Sequence, residues 1–142
     1  MDTNVLLRSI DVGHAAQPIA QNAMIRLGKD GESLSIFSQN LIEFWAVATR
    51  PIANNGLGLS IAQTGEELTK LKSLFSLLPD NADIFSEWER LAHQNQVIGK
   101  QAHDARLVAA MLVHRVTHLL TFNIADFKRY GKITVVSPSS VQ

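Results

Sequence analysis

The 142-residue sequence contains no cysteine, which excludes both a disulfide framework and a thiolate zinc site. It has no apolar run near the roughly 20 residues that a membrane-spanning helix needs. It also lacks the charged, apolar and small-residue pattern of a signal peptide. The expectation is a soluble, cytoplasmic chain with no membrane partner. Internal repeats, low-complexity stretches and Pro/Gly-rich linkers are absent as well, and the length suits one domain spanning residues 1–142. The formal net charge is +0 at pH 7, which argues against a protein that coats nucleic acid along its whole surface. What is present is a 46% hydrophobic fraction, enough for a packed core.

Charge is unevenly spread. Lys100, Arg106, Arg115, Lys128, Arg129 and Lys132 crowd the region around only two acids, Asp104 and Asp126, while from Pro51 to Gly99 the balance reverses. A basic rim around a small acidic centre suits a polyanion held over a cation; solvated helix faces are the plainer reading.

Apolar spacing predicts a helix over His14–Leu27, starting near Gln17 because Pro18 is tolerated only in a first turn. Leu34–Phe37 reads as a strand. A helix from Ser38 or Gln39 to Ala48 follows, stopped before Pro51. Asn54-Asn55-Gly56 marks a loop. Ser60 with Gln63, and Thr64 with Glu67, are rival capping boxes for a helix reaching Leu74. Phe75–Leu78 is a strand, and Ile84, Phe85, Trp88 and Leu91 lie on an amphipathic helix. From Gly99 to Tyr130 the chain reads as a helix, a buried strand at Leu119–Asn123 and a short second helix. Ile133–Val136 is a last strand. Val5-Leu6-Leu7 is too short to assign. Alternating strands and helices predict an α/β fold with a central parallel sheet between helical layers. Trp45, Trp88, Phe122 and Phe127 read as core, and the five histidines as surface or locally bonded.

Four acids stand in awkward places. For Asp104 and Asp126 a solvated charge is not the natural reading. For Asp2 a frayed, solvated terminus is the plainer reading, and for Glu43 a polar face shared with Gln39 is the alternative. Asp2 lies in the opening Asp2-Thr3-Asn4 cluster. Glu43 is flanked by Leu41, Ile42, Phe44 and Trp45. Asp104 fronts the run Leu107 to Leu112, and Asp126 follows the apolar stretch that begins at Leu119. In an open α/β sheet, ligands bind beyond the carboxyl ends of the strands. Carboxylates delivered there suggest a cation, phosphate chemistry, or both.

The Asp2-Thr3-Asn4 opening, the helix-borne Glu43, His103-Asp104-Ala105, and Leu120-Thr121-Phe122-Asn123 leading to Asp126-Phe127 together resemble the PIN-domain ribonucleases, and among them the VapC toxins of toxin–antitoxin pairs. The likeness spans the chain with its motifs in family order. It implies a three-layer α/β/α domain with Asp2, Glu43, Asp104 and Asp126 as catalytic and metal-binding acids. Asn4, Thr121, Asn123 and Arg106 are implied as supporting or substrate-side residues, with Lys100 and Lys128 as further phosphate contacts. It also implies Mg2+ or Mn2+ as cofactor, RNA as substrate, hydrolysis by an activated water, a small antitoxin partner and a homodimer. Oxygen-only ligands favour those ions over zinc.

One departure from the family stands out. Only Met1 precedes Asp2, so the central first strand is nearly absent and its neighbours would have unpaired backbone groups. The expectation is a reading frame that starts upstream or a shortened chain. A catalytically inactive PIN scaffold that binds RNA or a protein is the main alternative. A phosphatase or receiver domain is the other, but the second aspartate and late lysine that these would need are not found.

Overall fold

The computed structural model describes residues 1–141. In chain order the elements are α1 (Thr3–Ile10), α2 (Gln17–Lys29), β1 (Ser35–Phe37), α3 (Ser38–Ala48), α4 (Ile61–Leu74), β2 (Ser76–Leu78), α5 (Ala82–Gln94), α6 (Gln101–Val113), β3 (His118–Leu120), α7 (Ile124–Phe127) and β4 (Thr134–Val136), with short 3-10 turns at Ile52–Asn54 and Pro138–Ser140. The alternation expected from the sequence is therefore present. Pro18 falls in the first turn of α2. The rival start signals resolve in favour of Ser60, whose hydroxyl accepts from the Gln63 N–H at 3.1 Å while the Gln63 side chain accepts from the Ser60 N–H at 2.9 Å. Asn81 caps α5, its side chain accepting from the Asp83 and Ile84 N–H groups.

Helix α1 is the element the apolar pattern did not reveal. Its buried positions Val5, Leu6 and Ser9 have helical spacing. Eight residues give barely two turns, however, too few for the period to stand out.

All pairing is parallel. β1 lies beside β2 with Ser35 opposite Ser76, and β3 beside β4 with Leu120 opposite Val136. Successive side chains on a strand face opposite ways, and this splits the core into two halves. Phe37 and Leu119 face α5, α6 and α7, packing with Ile84, Leu91, Val108 and Phe127. Ile36 and Leu120 face α1 to α4, packing with Val5, Leu6, Phe44 and Leu71. Helices thus cover both faces, as a three-layer α/β/α arrangement requires. One expectation is corrected: Trp45 is 36% exposed, because it stands on the outer side of α3, whereas Phe127 is buried.

The sheet is divided. β1 and β3 do not pair with each other; Met1 and Asp2 bridge them instead. The Met1 amine donates to the Ser35 carbonyl at 2.8 Å, and the Asp2 N–H donates to the Leu120 carbonyl at 2.9 Å. Bonding alternately to the left and the right is what a central parallel strand does. Behind Met1 a cavity of about 180 Å³ runs between Leu34 and Ser35 on one side and His118 and Leu120 on the other. Met1 and Asp2 thus lie between β1 and β3, with this cavity as a slot behind them.

Candidate active site

The site is built at the end of the sheet where Met1–Asp2, β1 and β3 stop. Asp2 is the N-cap of α1 with extended backbone, but its side chain does not cap the helix. It turns towards the residue after β3 instead. The Thr121 hydroxyl donates to Asp2 Oδ2 at 2.6 Å, and Asn4 Nδ2 donates to the same oxygen at 2.8 Å. Asn4 also donates to Thr121 Oγ1 at 3.1 Å and accepts from the Phe122 N–H at 3.3 Å. The Asn123 N–H donates to Thr121 Oγ1 at 2.9 Å, while the Asn123 side chain is exposed. Asn4 and Thr121 therefore form one hydrogen-bonded unit around Asp2.

Glu43 arrives from the second turn of α3. The Thr3 hydroxyl donates to its Oε2 at 2.7 Å, and Gln39 Nε2 donates to its Oε1 at 2.8 Å. Behind them Asn40 is fully buried. It accepts from the Phe37 N–H at 2.8 Å and donates to Thr3 Oγ1 at 3.2 Å. Asp104 lies in the first turn of α6 and Asp126 in α7. Among the described residues no buried side-chain nitrogen or oxygen lacks a partner, so the polar network under the acids is closed.

Electrostatics ties the four acids together. Burial pushes the Asp104 carboxyl up to about 6, and the negative fields of Asp2, Asp126 and Glu43 push the same way; His103 opposes them. Burial also raises Asp2, with the Thr121 hydrogen bond opposing and Glu43 adding to the rise. Next door, burial lowers the Met1 amine to about 6. Acids whose negative fields raise the Asp104 and Asp2 carboxyls lie close to them.

The donor set suits a hard divalent cation, being all carboxylate with hydroxyl and amide support. At Glu43 each hydrogen-bonded oxygen keeps a second lone pair, whereas Asp2 Oδ2 already accepts from both Thr121 and Asn4. Among the described residues, no three His, Asp or Glu side chains gather tightly enough to grip one ion as they stand. The histidines follow the same pattern: His114 bonds the Pro79 carbonyl at 2.8 Å and His118 bonds Thr117 at 2.8 Å.

The PIN domain family model matches residues 1–133. The chain belongs to the PIN domain family. The resemblance expected from the sequence therefore holds, and the α/β fold with it. A solved structure of similar fold is VapBC2 from Rickettsia felis bound to a DNA fragment from their promoter. It superposes with a TM-score of 0.72 at 18% sequence identity, covering 96% of this chain and 95% of that one. Among curated proteins, none matches the sequence.

The remaining candidates are placed as follows. The Arg106 guanidinium is engaged, donating to Gln39 Oε1 at 3.0 Å and to Asp80 Oδ1 at 3.1 Å. Lys100 immediately precedes α6 and Lys128 follows α7, both exposed. Sequence reasoning passed over Asn40 and Asp80, and read Gln39 only as sharing a polar face with Glu43. The available signal for Gln39 was its position one turn before Glu43 on the same helical face. Asp80 gave none, because its link to Arg106 exists only in three dimensions.

Proposed function

We propose that this PIN domain, spanning residues 1–142, is a ribonuclease that hydrolyses RNA phosphodiester bonds with Mg2+ or Mn2+ in the cytoplasm. The observation that supports it most is the Asp104 carboxyl, pushed up to about 6 by burial and by Asp2, Asp126 and Glu43. A phosphate could not approach four such acids without a cation between. Residues of the family fold are generally set for nuclease chemistry, and the oxygen-only donor set fits the ion such chemistry uses.

When bound, a divalent ion supplies positive charge to the scissile phosphate and makes a nearby water more acidic. Asp2, Glu43, Asp104 and Asp126 are the residues to hold it. Thr121 and Asn4 orient Asp2; Thr3 and Gln39 orient Glu43. Asp104 and Asp126 stand on the open side, where either can accept a proton from the attacking water. Lys100 and Lys128 lie beside the elements carrying those two acids and suit the phosphates flanking the cleaved bond. Arg106 suits a supporting role, since both of its ends are already bonded.

The likeness in fold to a VapBC2 assembly supports a small antitoxin as partner, with this chain as the toxin of the pair; a homodimer is the assembly we propose for it. A second reading, an inactive scaffold that binds RNA or protein, is favoured by the absence, among the described residues, of a closed three-acid cluster as the side chains stand. RNA cleavage by the purified protein with Mn2+, compared with chelator and with Asp104→Asn, separates the two. Cleavage lost in both controls supports the nuclease. RNA binding without cleavage in any condition supports the scaffold.

A further inference from the structure

We infer that Gln39 is a positioning residue that sets the spacing between the acids of α3 and α6. This rests on the nuclease reading of the site. The Gln39 side chain is buried, and each of its polar atoms is used. Nε2 donates to Glu43 Oε1 at 2.8 Å and to the His103 carbonyl at 2.8 Å. Oε1 accepts from Arg106 at 3.0 Å. His103 immediately precedes Asp104, so one amide group joins the carboxylate of one acid to the backbone that carries another.

The amide has one workable orientation. Turned over, its oxygen would face two acceptors and its nitrogen would face a guanidinium that can only donate. Arg106 enforces the observed orientation and is itself held by Asp80, which also accepts from the Ser38 hydroxyl at the start of α3. The series Ser38–Asp80–Arg106–Gln39–Glu43 returns to the helix where it began. Glu43 Oε1 is thereby held at a set distance from Asp104 before any ion arrives. Groups that orient metal ligands typically change affinity about 10–100-fold when removed.

The test uses Gln39→Met, which keeps the length and removes both hydrogen-bonding functions. Mn2+ binding is followed by the spectroscopic signal of the free ion, and RNA cleavage is measured in parallel. The expected result is Mn2+ binding weakened about tenfold, kcat reduced at subsaturating Mn2+, and KM for RNA unchanged. In a Glu43→Gln background the same substitution should change Mn2+ binding less than about twofold, because the group it positions is no longer a carboxylate. Arg106→Met, which leaves the amide free to turn, should shift Mn2+ binding in the same direction by a smaller factor and serves if Gln39→Met does not fold. Parent-like Mn2+ binding in both variants overturns the inference. So does an equal loss with and without the Glu43 carboxylate, which would mark a merely structural role. A parent that binds Mn2+ yet cleaves no RNA refutes the nuclease reading and leaves the Gln39 comparison standing. A parent that binds no Mn2+ refutes both.

Discussion

Neutralising one acid of the site should make the ion-free protein more stable while removing its activity. The perturbation is Asp104→Asn, which keeps the shape of the side chain. The Asp104 carboxyl rises from an ordinary 3.8 to about 6 on folding. At about 1.4 kcal/mol for each tenfold change in proton affinity, the ionised group would oppose folding by about 3 kcal/mol. The group is partly open to solvent, and screening reduces this to about 1–2 kcal/mol. The sign follows from proton linkage. The folded state binds the proton more tightly, so stability is lost as pH rises from about 3.8 through about 6, and the full penalty is present at pH 7.5. In chelator at pH 7.5 the Asp104→Asn variant should therefore melt about 3–7 °C above the parent, and the difference should vanish near pH 3.5. The Met1 amine, lowered to about 6 by burial, adds a trend of opposite sign between pH 6 and 8, but it is common to both proteins and cancels in the difference. Mn2+ should reverse the order, since an ion at 100 times its dissociation constant stabilises the parent by about 2.7 kcal/mol and the variant less. The assay is thermal unfolding across pH with and without the ion. A variant that melts at or below the parent in chelator at pH 7.5 would refute the claim that burial and acidic neighbours raise the Asp104 carboxyl on folding.

Three further outcomes are expected. Thr121→Val removes the hydroxyl that joins Asp2, Asn4 and Asn123, and should cost about 1–3 kcal/mol in denaturant unfolding, with nuclease activity falling as Asp2 loses its donor; unchanged activity would mean that Asp2 is held by other means. Asn40→Ala strips the buried link between Phe37 and Thr3 and should cost about 2–4 kcal/mol; a loss below about 1 kcal/mol in urea unfolding would show that the contact is dispensable. Adding a Val-Ile-Leu segment ahead of Met1 should fill the slot between β1 and β3 and turn the buried amine into an amide. Burial of about 1.5–3 kcal/mol for each apolar side chain, less the ordering entropy, leaves a rise in melting temperature of about 5 °C, whereas a Gly-Ser-Gly segment should give none; equal melting of the two extended forms would mean that the slot does not take a strand.

The sequence by itself determined the parts that depend on local spacing. Helix and strand order beyond α1, the Pro18 boundary and the helical register of the buried α6 residues all follow from periodicity and capping within a few residues. The four candidate acids could be named from the sequence too, Glu43, Asp104 and Asp126 because each is a charge beside an apolar run and Asp2 through the family resemblance. Tertiary structure decided what depends on distant partners. Helix α1 is stabilised by burying Val5 and Leu6 beneath α2 and α3 rather than by a long amphipathic period. Trp45 could face in or out until the packing of α3 turned it outward. Arg106 looked like a free cation until Asp80 and Gln39, far away in sequence, were found beside it. The choice between Ser60 and Thr64 was local in form, yet Thr64 is fully buried and so lies inside the helix. Spacing along the chain records which face a residue shares; only the folded backbone sets the distance between one face and another, and carboxylates repel and amides position according to that distance.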